Sequence, residues 1–481
     1  MFAGATHEPA LKLAEHLLKG LNNPRLTKVF YTDDGSTATE VGIKMGVRAA
    51  CKHYSWDGSK EAIGVLGLKG SYHGDTIGAM DASEPCVFNE KVDWYRGRGY
   101  WFDYPTFKLK DGQWVVEPPV GMEEEFGPAQ QFAEQDDIFN MDARGHSSRY
   151  EAYIEQTLDR LVKKEGRKFG ALVMEPVILG AGGMIFVDPL FQKSLARVVR
   201  RYNFAPSGDA HPTMQDKHSW TGLPVMFDEV FTGLYRLGRF SSASYLDVHP
   251  DISIHAKLLT GGLLPLSITA ASDSIFQAFW GDEKSEALLH GHSYTAHPIG
   301  CHVANVSLDT MDSYSYGNQW VQFRSNWTEA QSKSAQSELA PTGQERKEQP
   351  WFMGTQNTDG SDKLWSFWTK EFVLDLSRHS RVEHVNALGS VLAVSLKDKS
   401  GAGKSTPFIG VCSSSKITFV GYTSSAAVGL RDALLFNRGK VQIHSRILGN
   451  VIYLMASMSS TKDQLASIEN EFRQKLDALS D

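Results

Sequence analysis

Two apolar runs that each break on an acid constrain this chain most: ALVMEPV (171–177) and PVMFDEV (224–230). Each is short and apolar at every position before its acid, the pattern of a strand covered on both faces. A helical pattern over Tyr150–Lys164 precedes the first, and another over Phe191–Tyr202 lies between them. VFYTD (29–33), followed by a helical pattern from Thr37 to Ala50, and AIGVLGLKG (62–70) extend the theme. Strand and helix alternating at this rhythm predict an α/β fold around a mostly parallel sheet. Thr37 and Glu40 have the spacing of a capping box, and Leu11, Leu13, Ala14, Leu17 and Leu18 make the apolar stripe of an opening helix.

A chain of 481 residues exceeds what one core usually serves, so two domains are expected. The large one is predicted over 1–305 and a smaller C-terminal α+β domain over 306–481. The latter carries VNALGSVLAVSL (385–396), a helix over Ala426–Asn437, VIYLMAS (451–457) and a final helix from Thr461. Residues 103–148, rich in Asp, Glu, Gln, Pro and Gly, are predicted to form a polar surface excursion, and 329–363 a polar insertion. The formal charge of −7 gives no basic bias toward nucleic acid. No apolar run approaches the roughly 18 residues of a membrane span. Cys51, Cys86, Cys301 and Cys412 are far apart, as expected of reduced intracellular thiols.

In open parallel sheets, ligands bind beyond the carboxyl ends of the strands. Asp33, Asp34, Glu175, Asp228 and Glu229 fall at such ends, where helix capping is the plain alternative role. Asp228 closes a wholly apolar run, so burial and a cationic partner are expected for it. Gly35-Ser36-Thr37 opens a helix and offers amides, hydroxyls and a helix dipole to a phosphate; an ordinary N-cap would look the same. In Gly70-Ser71-Tyr72-His73-Gly74-Asp75, turn formation explains the glycines but not the adjacent Tyr72 and His73, a pair suited to a planar ligand.

Lys257 lies in ISIHAKLLTGGLLPLSITAAS, where an ammonium is costly unless paired, neutral or chemically engaged. His290, His292, Ser293, Tyr294 and His297 form a loop that suits phosphate contacts better than a metal, since no acid or thiol completes a ligand set. GAGKST (401–406) lacks the first glycine of a phosphate loop and follows the acid strand instead of preceding it, so a surface loop is expected. Arg446, ahead of VIYLMAS, is either solvated or a clamp for a carboxylate.

In their order GST, YHGD, DEVFTG, AKLLTGG and HGHSYTAH, these motifs resemble the class-III, fold type I pyridoxal-phosphate aminotransferases. MFAGATHEPALKL, YTDDGSTATEVGIKM, GSYHGDTIGAM, WYRGRG and LGNVIYLM narrow the resemblance to the aminotransferases of biotin synthesis, as fused in eukaryotes behind a dethiobiotin synthetase domain. The resemblance spans the chain outside its two polar excursions. It implies pyridoxal 5'-phosphate bonded to Lys257, Asp228 at the ring nitrogen, and Tyr72 with His73 at the ring. Gly35, Ser36 and Thr37 would hold the phosphate, with His292 and Ser293 reaching it from the second subunit of a homodimer. Arg446 and Tyr72 would meet substrate, with Asp75, Glu175 and Glu229 behind them.

The implied reaction moves an amino group from S-adenosylmethionine, or from lysine, to 8-amino-7-oxononanoate. Another class-III ω-aminotransferase activity stays open, as does an impaired form that binds cofactor and associates with dethiobiotin synthetase. Such fusions are mitochondrial, which is the expected compartment, with the cytoplasm as the alternative. Relative to the family, a segment with a Trp pair is expected upstream of Met1, which implies an N-terminally truncated chain. Ile447 stands where a proline commonly follows the arginine, and HGHSY replaces HGPTF.

Overall fold

A computed structural model describes residues 5–86, 89–205, 218–328, 363–398, 424–437 and 441–479. Residues 329–362 of the predicted insertion (329–363), GAGKST and Cys412 lie outside the described residues.

Seven strands form the large sheet in the order Leu26–Thr32, Ser267–Ser272, Ile252–His255, Val225–Asp228, Lys168–Met174, Ile63–Leu68 and Gly99–Phe102. All run parallel except Ser267–Ser272, which is antiparallel to both its neighbours. The apolar runs are continuous because both faces are covered. Val65, Ala171, Val173, Met226 and Ile252 pack against Ala38, Val41 and Met45 of the helix Gly35–Tyr54. Leu66, Leu172, Met174 and Phe227 point into the main core on the other side. Each such side chain contributes about 1.5–3 kcal/mol by leaving water.

The predicted helices are present, with shifted ends. Gly35–Tyr54 starts ahead of Thr37, and its cap is Asp34 rather than Thr37: the Asp34 carboxylate accepts from the Thr37 amide at 3.0 Å and Thr37 Oγ1 accepts from the Asp34 amide at 3.3 Å. Glu40 is thereby free to accept the Gly78 amide at 2.9 Å. In the opening helix Glu8–Leu21, Ala10, Leu13, Leu17 and Leu21 are the buried stripe, while Leu11 is exposed.

Residues 103–148 are not a surface excursion. Thr106–Lys110, Gln113–Glu117 and Gln130–Phe132 are strands of a second, fully antiparallel seven-stranded sheet, joined to the C-terminal strands where Val385 pairs with Leu109. Its other members are Val382–Leu388, Val391–Leu396, Arg446–Leu448 and Val451–Met455. The polar positions of the first two strands are half-buried, while Phe107, Leu109, Trp114, Val115 and Val116 are buried. The second sheet therefore draws on both halves of the sequence.

The same segment is locked to the helix Pro189–Arg201 by a buried ion pair. Arg144 Nη1 and Nη2 donate to Asp188 at 2.6 and 2.8 Å, Tyr150 donates its hydroxyl at 2.9 Å, and Asp188 also accepts the Leu190 amide as N-cap. Removing the arginine strands a buried carboxylate. Arg144→Met is expected to cost about 3–5 kcal/mol in urea unfolding; a cost below about 1 kcal/mol would show that the pair is not desolvated.

Candidate active site

The carboxyl ends of the parallel strands bring the candidate residues together. Asp228 ends its strand buried, with Oδ2 2.8 Å from His73 Nδ1 and Oδ1 accepting the Val230 amide at 3.1 Å. His73 is buried as well. Burial pulls its pKa down, but the bond to Asp228 and the charges of Asp228 and Glu175 outweigh this, and the net shift is upward. His73 Nε2 has no partner among the described residues. Glu175 follows the neighbouring strand and accepts the Tyr72 amide at 3.1 Å and the Gly180 amide at 2.9 Å. Burial and the nearby Asp228 charge raise its pKa to about 7.

Tyr72 presents its ring at the rim, 42% exposed, with its hydroxyl donating to Asp75 at 2.9 Å. Burial and Asp75 push its phenol upward. The 70–76 loop lies directly on the helix N-terminus: Thr76 donates its amide to Ser36 Oγ at 2.9 Å, with the two hydroxyls 2.8 Å apart. Gly74 permits the approach, since at φ +124° a Cβ would sit 2.1 Å from Ser36 Oγ. Thr37 Oγ1 donates to Asp33 at 3.1 Å. The Gly35 and Ser36 amides lie at the positive end of a 20-residue helix, where an anion is favoured.

Lys257 follows the strand next to Asp228 and has φ +48°, a left-handed conformation unusual for a residue with a side chain. It reaches solvent, yet enough protein surrounds its ammonium to strip much of its hydration. That desolvation lowers its pKa; Asp228 and Glu175 oppose the shift, and Arg236 adds to it.

Other candidates stand apart. Glu229 turns into the core, where it accepts from Ser241 Oγ at 2.7 Å, the Ser242 amide at 2.6 Å and Ser253 Oγ at 3.3 Å, and burial raises it to about 7. His292 Nε2 lies 3.6 Å from Asp33 of the same chain, and Ser293 is exposed. His290 Nδ1 is 3.0 Å from Lys44, and His297 caps the helix Pro298–Ser315. Arg446 begins an edge strand of the second sheet, exposed and opposite Tyr453.

Sequence reasoning passed over Arg236. Its guanidinium has no acidic partner among the described residues, its Nε is buried without a hydrogen bond, and desolvation alone lowers its pKa to about 10. It sits in a turn-rich stretch where composition gives no sign of burial. Val230 was passed over too; its methyl groups lie against Gly35, next to Asp228.

An acid buried beneath a half-exposed aromatic ring, a desolvated lysine and a helix N-terminus form one constellation. These residues fit pyridoxal phosphate: an acid for the ring nitrogen, a ring to stack on, amides for the phosphate and an amine to bond. A match to the family described as Aminotransferase class-III covers residues 216–342, the part holding Asp228, Arg236, Lys257 and Ser293. The chain carries a class-III aminotransferase domain. It is 50% identical over 481 residues to the bifunctional dethiobiotin synthetase/adenosylmethionine-8-amino-7-oxononanoate aminotransferase of Emericella nidulans, covering 99% of this chain and 56% of the relative. The mitochondrial bifunctional dethiobiotin synthetase/7,8-diamino-pelargonic acid aminotransferase of Arabidopsis thaliana is 35% identical, covering 95% of this chain and 47% of the relative.

The chain thus spans about half the length of these relatives. Among solved structures, adenosylmethionine-8-amino-7-oxononanoate aminotransferase of Methanocaldococcus jannaschii matches with a TM-score of 0.64 at 20% identity, covering 99% of this chain and 81% of that one. The fold is the fold type I architecture expected from the motifs.

The His73 shift has a stability consequence in this domain. A histidine whose folded pKa is raised contributes stability that is complete below its unfolded value of about 6.5 and is lost as pH rises through the folded value. The destabilisation caused by His73→Gln, measured by urea unfolding, is therefore expected to be larger at pH about 6 than at pH about 9. An equal cost at both would mean that His73 does not carry the charge facing Asp228.

Proposed function

We propose that this domain transfers an amino group with pyridoxal 5'-phosphate as cofactor. The acceptor is 8-amino-7-oxononanoate, the product 7,8-diaminononanoate and the donor S-adenosylmethionine, as the names of its relatives suggest. The observation that carries the reading is the pairing of a strained, desolvated Lys257 with the buried Asp228–His73 couple on the adjacent strand.

When bound, the cofactor supplies an electron sink for the carbon beside the substrate nitrogen. Asp228, held by His73, would hold the ring nitrogen and favour its protonated form. Tyr72 would offer its ring to stack on, and Val230, two residues along from Asp228 and packed on Gly35, would line the same site. The Gly35 and Ser36 amides take the phosphate, with the Ser36 and Thr37 hydroxyls beside them. Lys257, its pKa lowered by desolvation, would be the amine that holds the cofactor and would carry a proton at its Nζ during the transfer.

The substrate carboxylate falls to two arginines. Arg446 is the one the family pattern assigns; Arg236 is a half-buried cation, its Nε fully buried, with no acidic partner among the described residues, and its charge is felt at Lys257. The exposed loop around His292 and Ser293, beside exposed Tyr294 and Ile299, offers a surface to a second copy, whose phosphate site Ser293 would complete. Association with a dethiobiotin synthetase domain follows the plant and fungal relatives, and a mitochondrial location follows the plant relatives.

The test is product formation. Incubated with pyridoxal phosphate, S-adenosylmethionine and 8-amino-7-oxononanoate, the protein is expected to yield 7,8-diaminononanoate by mass spectrometry, and Lys257→Ala none. Turnover of other ω-amines with no diaminononanoate from either S-adenosylmethionine or lysine would contradict the substrate assignment.

A further inference from the structure

Arg236 poses a physical problem that the proposed chemistry does not itself solve. A buried guanidinium normally recruits a carboxylate, because its desolvation is otherwise uncompensated. Here none is present among the described residues, and the carboxylates nearest the site are committed elsewhere: Asp228 to His73, Glu175 to the Tyr72 and Gly180 amides, Glu229 to Ser241 and Ser242. What faces the guanidinium is the ring of Phe231, with the Arg236 Cζ 5.8 Å from its centroid. The ring is itself fixed from behind: a Cβ at Gly180 would lie 2.9 Å from Phe231 Cδ1 and 3.0 Å from Cγ, so only glycine lets the ring rest there.

The backbone of Arg236 is held as firmly. Its carbonyl accepts both the amide and the hydroxyl of Ser390 at 2.9 and 3.1 Å, and Gly389, at φ +53°, brings the hairpin of the second sheet against Leu237. Main chain and side chain are thus both ordered, while the planar N–H fork is left without an acid.

We propose that Phe231 is a positioning residue for carboxylate recognition: its ring, backed by Gly180, orders the Arg236 guanidinium without consuming the N–H donors a substrate carboxylate needs. An aspartate or glutamate in its place would order the arginine equally well but would occupy the fork and repel the incoming acid. An aromatic face attracts the cation through its quadrupole and lies perpendicular to the donor directions. The inference rests on the reading that Arg236 takes the substrate carboxylate, and it adds the residue that makes that grip pre-formed.

The test uses the pyridoxal-phosphate-loaded protein and two ligands, 8-amino-7-oxononanoate and its methyl ester, with binding followed by calorimetry and the cofactor absorbance recorded as a check on folding. The native protein is expected to bind the acid more tightly than the ester. Phe231→Leu keeps the bulk but removes the π face; it is expected to weaken the acid roughly five- to tenfold and leave the ester unchanged. Phe231→Tyr is expected to retain the preference, and Arg236→Met to abolish it. If Phe231→Leu keeps the full preference while Arg236→Met loses it, the proposal is wrong and the role of Arg236 stands. Equal weakening of acid and ester in Phe231→Leu would reduce Phe231 to a packing residue and also overturn the proposal. If Arg236→Met, or the native protein, shows no loss or no preference, the reading beneath it fails as well.

Discussion

A carboxylate buried at the end of a central strand governs this molecule. Asp228 cannot be left charged and dry without a partner, and His73, its pKa raised in spite of burial, is the partner that the adjoining loop delivers. Burial, and then the negative charge of Asp228, lift Glu175 to about 7 while its two backbone donors hold it in position. The charges of Asp228 and Glu175 reach Lys257 and partly offset the desolvation that draws its pKa down.

The loop after Asp228 carries this arrangement outward. Glu229 pins it to Ser241, Ser242 and Ser253 in the core, Val230 leans on the helix N-terminus at Gly35, and Arg236 is tied through Ser390 to the second sheet. That sheet is itself assembled from the hairpin at 106–117 and the C-terminal strands. The site's positive wall therefore depends on residues distant in sequence, and the two sheets meet at the Gly389 turn.

The parallel sheet and most of the site were legible in the sequence, because burial on both faces leaves an unmistakable apolar run and because Glu175, Asp228 and Lys257 come only where such runs end. The hairpin at 106–117 was not. One strand alternates Thr-Phe-Lys-Leu-Lys and the next holds only three apolar residues, Trp-Val-Val, between Gln113 and Glu117, and the surrounding acids and prolines hid both within a polar average. The cap at Asp34 was missed for a related reason: a Thr-x-x-Glu spacing one turn later matched the same rule, and only the backbone showed which side chain reached an open amide. Arg236 and Phe231 left no local signal, since what matters about them is the acid that is not there. The chemistry of the site thus lies partly in residue types, which sequence shows, and partly in withheld pairings, which only the fold shows.

The central claim is that Lys257 is the amine that bonds the cofactor. Reducing the pyridoxal-phosphate-loaded protein with borohydride and mapping its peptides by mass spectrometry tests this directly. The account predicts a phosphopyridoxyl mass addition on the peptide containing Lys257, in the sequence ISIHAKLLTGG, and its loss in Lys257→Ala. A stable addition on a different lysine, or an unchanged level of labelling in the Lys257→Ala protein, would contradict it.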